Sequence, residues 1–113
     1  MAYDIIVMNI KDPIPEGYSG VHIMRPNILG NPFFLSDEHN RDKVIEQYKQ
    51  YLWEHMKNPT SPVTKALVRY ADAANDLALI CCCKPKACHG DVVKAAIEWL
   101  RSNRVQLSLA QGG

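Results

Sequence analysis

Apolar residues recur along this chain with two different periods, and the changes between them mark out six elements. Tyr3 to Met8 and Val21 to Met24 are short, β-branched apolar runs on either side of Pro13, Pro15 and Gly17, which predicts two strands with an irregular connection. From Arg41 to Lys57, residues Val44, Ile45, Tyr48, Leu52, His55 and Met56 fall on one face at helical spacing, and Asn40 stands where an N-cap belongs. Ser61-Pro62 then supplies an N-cap followed by proline at the first helical position. Val63, Leu67, Tyr70, Ala71 and Ala74 carry that helix to about Asn75. Leu77 to Cys82 is an unbroken apolar run, as expected of a strand covered on both faces. A last helix is predicted from about Cys88 to Ser102 on Val92, Val93, Ala96, Ile97 and Leu100, with Asp91 near its start and Arg101 and Arg104 near its end to suit the dipole.

The order strand, strand, helix, helix, strand, helix predicts an α/β protein. The expected architecture is a small Rossmann-like layered fold with a short, mostly parallel sheet flanked by helices, the first and last strands parallel and near the sheet centre. Residues 1–107 are expected to form one domain and residues 108–113 a flexible tail. A chain of 113 residues with 47% hydrophobic content fits one compact core and leaves no room for separate cofactor and substrate domains. A net charge of +1 supplies no global basic field for polyanions, so a specific ligand is the better expectation. The N-terminus has no basic region before its apolar residues and no run approaches membrane-spanning length, which places the expected protein in the cytoplasm, away from membranes. All four cysteines lie between positions 81 and 88, which argues for reduced thiols rather than a disulfide framework.

Two segments carry candidate chemistry. The first is Arg25-Pro26-Asn27-Ile28-Leu29-Gly30-Asn31-Pro32-Phe33-Phe34, a stiff loop in which two prolines and a glycine exclude regular helix. The second is Cys81-Cys82-Cys83-Lys84-Pro85-Lys86-Ala87-Cys88-His89-Gly90-Asp91, a strand end, a turn and a helix start. Ligands of open α/β sheets collect beyond the carboxyl ends of parallel strands, and helix N-terminal amides favour phosphate or carboxylate there, assisted by Lys84, Lys86 and Arg25. Cys88, beside His89 at a helix start, is where a thiolate would be stabilised, and Cys83 could face the same pocket. Cys81 and Cys82 are read as apolar packing residues, and Phe33, Phe34 and Trp53 as core. His89 serves either as an acid or base or as a hydrogen-bonding residue of the helix start. Asn31 either reads a ligand or makes an Asx-type turn. The spacing C-x-C-x4-C-H offers enough donors for tetrahedral zinc, but adjacent Cys88 and His89 are awkward for chelating one ion, so no metal and no cofactor are assigned.

In both segments the chain resembles domain-of-unknown-function family 4326, found in phages and bacteria and marked by a C-H-G signature. The resemblance rests on Arg25-Pro26, Gly30-Asn31-Pro32-Phe33, Arg41, Tyr48 and Leu52, then Cys81, Cys83, Pro85 and Cys88-His89-Gly90-Asp91. Cys82 stands where family members often carry a bulky aromatic, and Met24 where they carry glycine before the arginine. The strand and C-H turn are also similar to a second uncharacterised family thought to be Rossmann-like, an analogy of fold only. The resemblance implies a site and brings no settled reaction. The expectation is therefore a phage- or prophage-type cytosolic protein that binds a nucleotide-like or other phosphate-bearing ligand through Arg25, Asn31, Arg41, Lys84 and Gly90. If it is an enzyme, it transfers or hydrolyses at a nucleotide or nucleic-acid component, with Cys83 or Cys88 as nucleophile and His89 or Asp91 as proton carrier. The alternative expectation is a non-catalytic module that modulates a host protein, in which the C-H-G turn only stiffens the fold.

Overall fold

The computed structural model describes residues 3–25, 27–32, 40–82 and 88–112, with side chains described as far as Asn103. Its elements are β1 (Ile5–Asn9), β2 (Tyr18–His22), α1 (Arg41–Met56), α2 (Pro62–Asp72), β3 (Asp76–Cys81) and α3 (His89–Gly112), so the protein is of mixed α/β class. The three strands form a parallel sheet in the order β1-β3-β2. β3 takes the centre because its Leu77-Ala78-Leu79-Ile80-Cys81 run is buried on both faces, whereas the flanking strands alternate or are largely exposed. The first strand thus lies at an edge of the described sheet and not at its centre.

Paired residues of a parallel sheet point to the same side, and the register divides the strands cleanly. Ile5, Val7, Val21, Ile23, Leu77, Leu79 and Cys81 join the main core with Tyr48 and Leu52 of α1, Val63, Leu67 and Ala71 of α2, and Val93, Ala96, Ile97 and Leu100 of α3. Fully burying side chains of this size contributes roughly 1.5–3 kcal/mol each. Ile6, Met8, Ala78, Ile80 and Tyr18 form a smaller cluster on the opposite face, made of strand residues alone. Among the described residues the helices therefore pack on one face of the sheet.

β2 begins at Tyr18 and ends at His22, earlier than the apolar run Val21 to Met24 suggested. The backbone of β3 recruits Tyr18, Ser19 and Gly20 by pairing, a long-range effect that an apolar pattern does not carry. α2 starts as expected, with Ser61 Oγ accepting from the Val63 amide at 3.2 Å, and ends at Asp72 because Ala73 turns extended. Asn40 precedes α1 without a side-chain capping bond. α3 runs to Gly112, so the backbone expected to form a tail from residue 108 is helical as far as that residue.

Arg101 does not serve the C-terminus of its own helix. Its guanidinium donates to the carbonyls of Ala71 and Tyr70 at the end of α2, at 3.3 and 3.4 Å, and to Tyr3 O at 3.0 Å. The cation thus adds a donor to the last carbonyls of α2, of which Tyr70 O also accepts from the Ala73 amide, and fastens α3 to the segment leading into β1.

Candidate functional site

The two segments of interest meet at the carboxyl edge of the sheet, on its helix-packed side. β2 leads through Ile23 into the loop at residues 25–31, which is built from consecutive turns: the Asn27 amide donates to Met24 O and the Gly30 amide to Asn27 O, both at 2.8 Å. Asn27 Oδ1 accepts from the Leu29 amide at 2.9 Å, so Asn27 makes an Asx-type turn. Leu29 is fully buried, and its carbonyl accepts a 2.7 Å hydrogen bond from the Tyr48 hydroxyl. Gly30 permits this compact shape: a β carbon there would stand 2.7 Å from the Arg25 amide nitrogen and 2.9 Å from both Arg25 Cα and Asn27 O.

Cys88 caps α3. Its Sγ accepts from the Gly90 amide at 3.3 Å, the same bond that Ser61 makes at the start of α2 with oxygen in place of sulfur. Asp91 reaches back to the Cys88 amide at 3.4 Å, which completes the reciprocal arrangement of a capping box. The Asp91 expectation of a dipole-complementing residue agrees with this position. Gly90 is required by the closeness of helix and sheet, since a β carbon would meet Val7 Cγ1 at 2.7 Å, Ile23 Cδ1 at 3.0 Å and Cys88 Sγ at 3.2 Å.

His89 is buried, and its Nε2 lies 2.7 Å from Ile23 O. A carbonyl only accepts, so Nε2 carries the proton and donates. The ring also stands edge-on to Tyr48, with centroids 4.9 Å apart and planes at 68°. Burial holds the imidazole below its ordinary pKa; the Ile23 carbonyl opposes that shift, while the positive charge of Arg25 reinforces it. In this position His89 ties the start of α3 to the residue that follows β2.

The cysteines divide differently from the sequence expectation. Cys81 and Cys88 are both buried, with sulfurs 3.2 Å apart, whereas Cys82 is exposed and does not pack in the core. Their contact pushes the Cys88 thiol well up, burial adds to this, and the Gly90 amide only partly offsets it. The N-terminal position that should lower its pKa is outweighed by the neighbouring sulfur and by exclusion of water.

Of the remaining expected residues, Gly90 sits inside the helix–sheet contact, Arg25 is exposed, and Asn31 and Arg41 are half-buried. Cys83 and Lys84, and with them Lys86, Phe33 and Phe34, lie outside the described residues. Trp53 is half-buried and meets the exposed Trp99 edge-on at 5.4 Å, so it is only partly a core residue. Among the described residues no group of three potential ligands could hold a metal ion, and no helix is long and apolar enough to cross a membrane. A shallow cavity of about 490 Å³ lies on α1, lined by Gln47, Gln50, Tyr51, Glu54 and His55, and includes none of the expected residues. Sequence reasoning missed Asn27 and the structural duty of Tyr48. An Asn two residues before a buried leucine was the available signal for the first.

The sequence model of the Domain of unknown function (DUF4326) matches residues 9–99. The chain is similar to an "Uncharacterized 12.4 kDa protein in nrdA-td intergenic region" of Enterobacteria phage T4, 30% identical over 87 residues that cover 77% of this chain and 75% of the relative. No solved structure matches.

Proposed function

The chain belongs to this family of unknown function, and on that premise we propose that it binds a phosphate-bearing, nucleotide-like ligand at the carboxyl edge of its sheet. The observation that supports the reading is the joining of two loops at one edge, where the His89–Ile23 bond holds the base of the Arg25 loop against the start of α3. Parallel α/β sheets present ligand sites at this edge, and Arg25 is an exposed cation whose field reaches the His89 ring. Binding falls to the rim, to Arg25 with Asn31 and Arg41. The buried Cys88, His89 and Gly90 hold the rim in shape. In this reading Cys88 and His89 perform no nucleophilic or proton-transfer step, since the thiol is held protonated and the imidazole Nε2 is committed to a carbonyl. The phage relative suits a protein acting in the cytoplasm of a host cell.

A second reading has its own support. The C-H-G turn is filled by its own side chains, as a module that only presents a surface to a host protein would have it. Thermal-shift measurements with inorganic phosphate, nucleoside mono- and triphosphates and short oligonucleotides separate the two, because a ligand of the folded state raises its melting temperature. Ligand binding predicts a rise that Arg25→Ala removes, each protein being measured against its own ligand-free melting temperature. No rise with any of these probes rejects the ligand reading. A rise that persists in Arg25→Ala moves the site elsewhere.

A further inference from the structure

Cys81 ends the central strand and Cys88 caps the helix that follows, and neither thiol is spent on the binding reading above. Their sulfurs are 3.2 Å apart, and the residues are 1% and 2% exposed. A disulfide needs the sulfurs at about 2.05 Å, so bonding requires each to move by only roughly half an ångström. Cys82 is adjacent to Cys81 but faces the other way and is exposed, so it is not the partner that the fold selects.

We propose that Cys81 and Cys88 form a reversible disulfide under peroxide, which locks the start of α3 onto the end of β3. Hydrogen peroxide oxidises one thiol to a sulfenic acid and releases one water; the second thiol then attacks the sulfenic sulfur, forming the S–S bond and releasing a second water. The two thiols together lose two protons and two electrons, and these reduce the peroxide. A small dithiol returns the pair to the reduced state by exchange. The locked junction is the same one that His89 and Gly90 build, so oxidation stiffens the base of the Arg25 loop without adding a charge or changing the surface. The buried thiols react more slowly than an exposed thiol such as Cys82, and the link forms under sustained exposure to oxidant.

The test uses a Cys82→Ser/Cys83→Ser variant, which leaves only the two thiols in question. After incubation with hydrogen peroxide, alkylation and mass spectrometry, the expected product is a monomer that takes up no alkylating agent and whose joined Cys81 and Cys88 peptides, which hold no methionine, are together lighter by two hydrogens. Trypsin cuts after Lys86 and so separates Cys81 from Cys88, and the two peptides remain joined until dithiothreitol is added. The melting temperature rises by several degrees on oxidation and returns on reduction. Two alkylatable thiols after prolonged peroxide, sulfinic acid at either position in place of the link, or a link between two chains overturns the proposal. If the variant does not fold, the native protein is mapped in the same way, and fragmentation between Cys81 and Cys82 assigns the bonded sulfur.

Discussion

Replacing Gly90 by alanine sets two effects of known size against each other. In a helix the change is ordinarily favourable, by up to about 1 kcal/mol, because alanine loses less backbone freedom on folding. At this position the new β carbon would stand 2.7 Å from Val7 Cγ1, 3.0 Å from Ile23 Cδ1 and 3.2 Å from Cys88 Sγ. Val7 is β-branched, half-buried and packed on the core, Ile23 is fully buried, and the Cys88 sulfur lies against Cys81, so the three have little freedom to give way together. Overpacking of this kind costs roughly 1–3 kcal/mol. Three simultaneous contacts place Gly90→Ala toward the upper part of that range, leaving a net loss of about 1–2 kcal/mol after the helical gain. Urea unfolding followed by circular dichroism should show a lower midpoint with an unchanged slope, and the melting temperature should fall by roughly 4–8 °C for a domain of this length. Gly30→Ala is the comparison: every atom its β carbon meets is backbone, so it should lose more. A Gly90→Ala protein as stable as the native chain, or more so, would refute the account of the C-H-G motif as a close-packing device.

Two further outcomes follow from the same contacts. Arg101→Met keeps the apolar stem but removes the donor to the Ala71 and Tyr3 carbonyls, and stability should fall by about 1–3 kcal/mol; unchanged urea unfolding, together with unchanged amide exchange in the last turn of α2, would contradict the role given to it. Because the folded protein holds His89 below its ordinary pKa near 6.5, the unfolded chain binds the extra proton first, so the stability this ring contributes is full above pH 6.5 and is lost as pH falls toward its folded value. Urea midpoints between pH 8 and 5 should therefore slope less steeply in His89→Gln than in the native protein, and identical slopes would rule this out.

The elements that the sequence made legible are those whose burial pattern is local. α1 and β3 announce themselves through a helical stripe and a continuous apolar run, and Ser61-Pro62 marks the start of α2 through chemistry that acts within three residues. β2 was misplaced because Ser19 and Gly20 enter the sheet only through the backbone of β3, a partner far along the chain. The same reasoning explains the cysteines. Strand alternation correctly set Cys82 on the other face from Cys81, but only the fold brings Cys88 against Cys81, and that contact reverses the expected acidity of Cys88. The C-H-G-D motif was found by its unusual composition. Its meaning as a capping box lay in the spacing of Cys88 and Asp91, obscured because sulfur occupies the place usually taken by a hydroxyl. Arg101 was assigned to the wrong dipole since sequence shows only the helix a residue belongs to and not the helix end beside it.

The sheet order also governs how the chain can emerge during synthesis. Neither outer strand pairs with the other, and both wait for β3: Asp4 and Asp76, which bond at the margin of the sheet, are 72 residues apart. At about 5–20 residues per second, β1 spends roughly 4–15 s on the ribosome before its hydrogen-bonding partner exists. During that interval Ile5, Ile6, Val7 and Met8 form an unpaired apolar strand. The helices α1 and α2 wait as well, because both pack mainly against α3, which follows β3, so sheet and core close together late in synthesis.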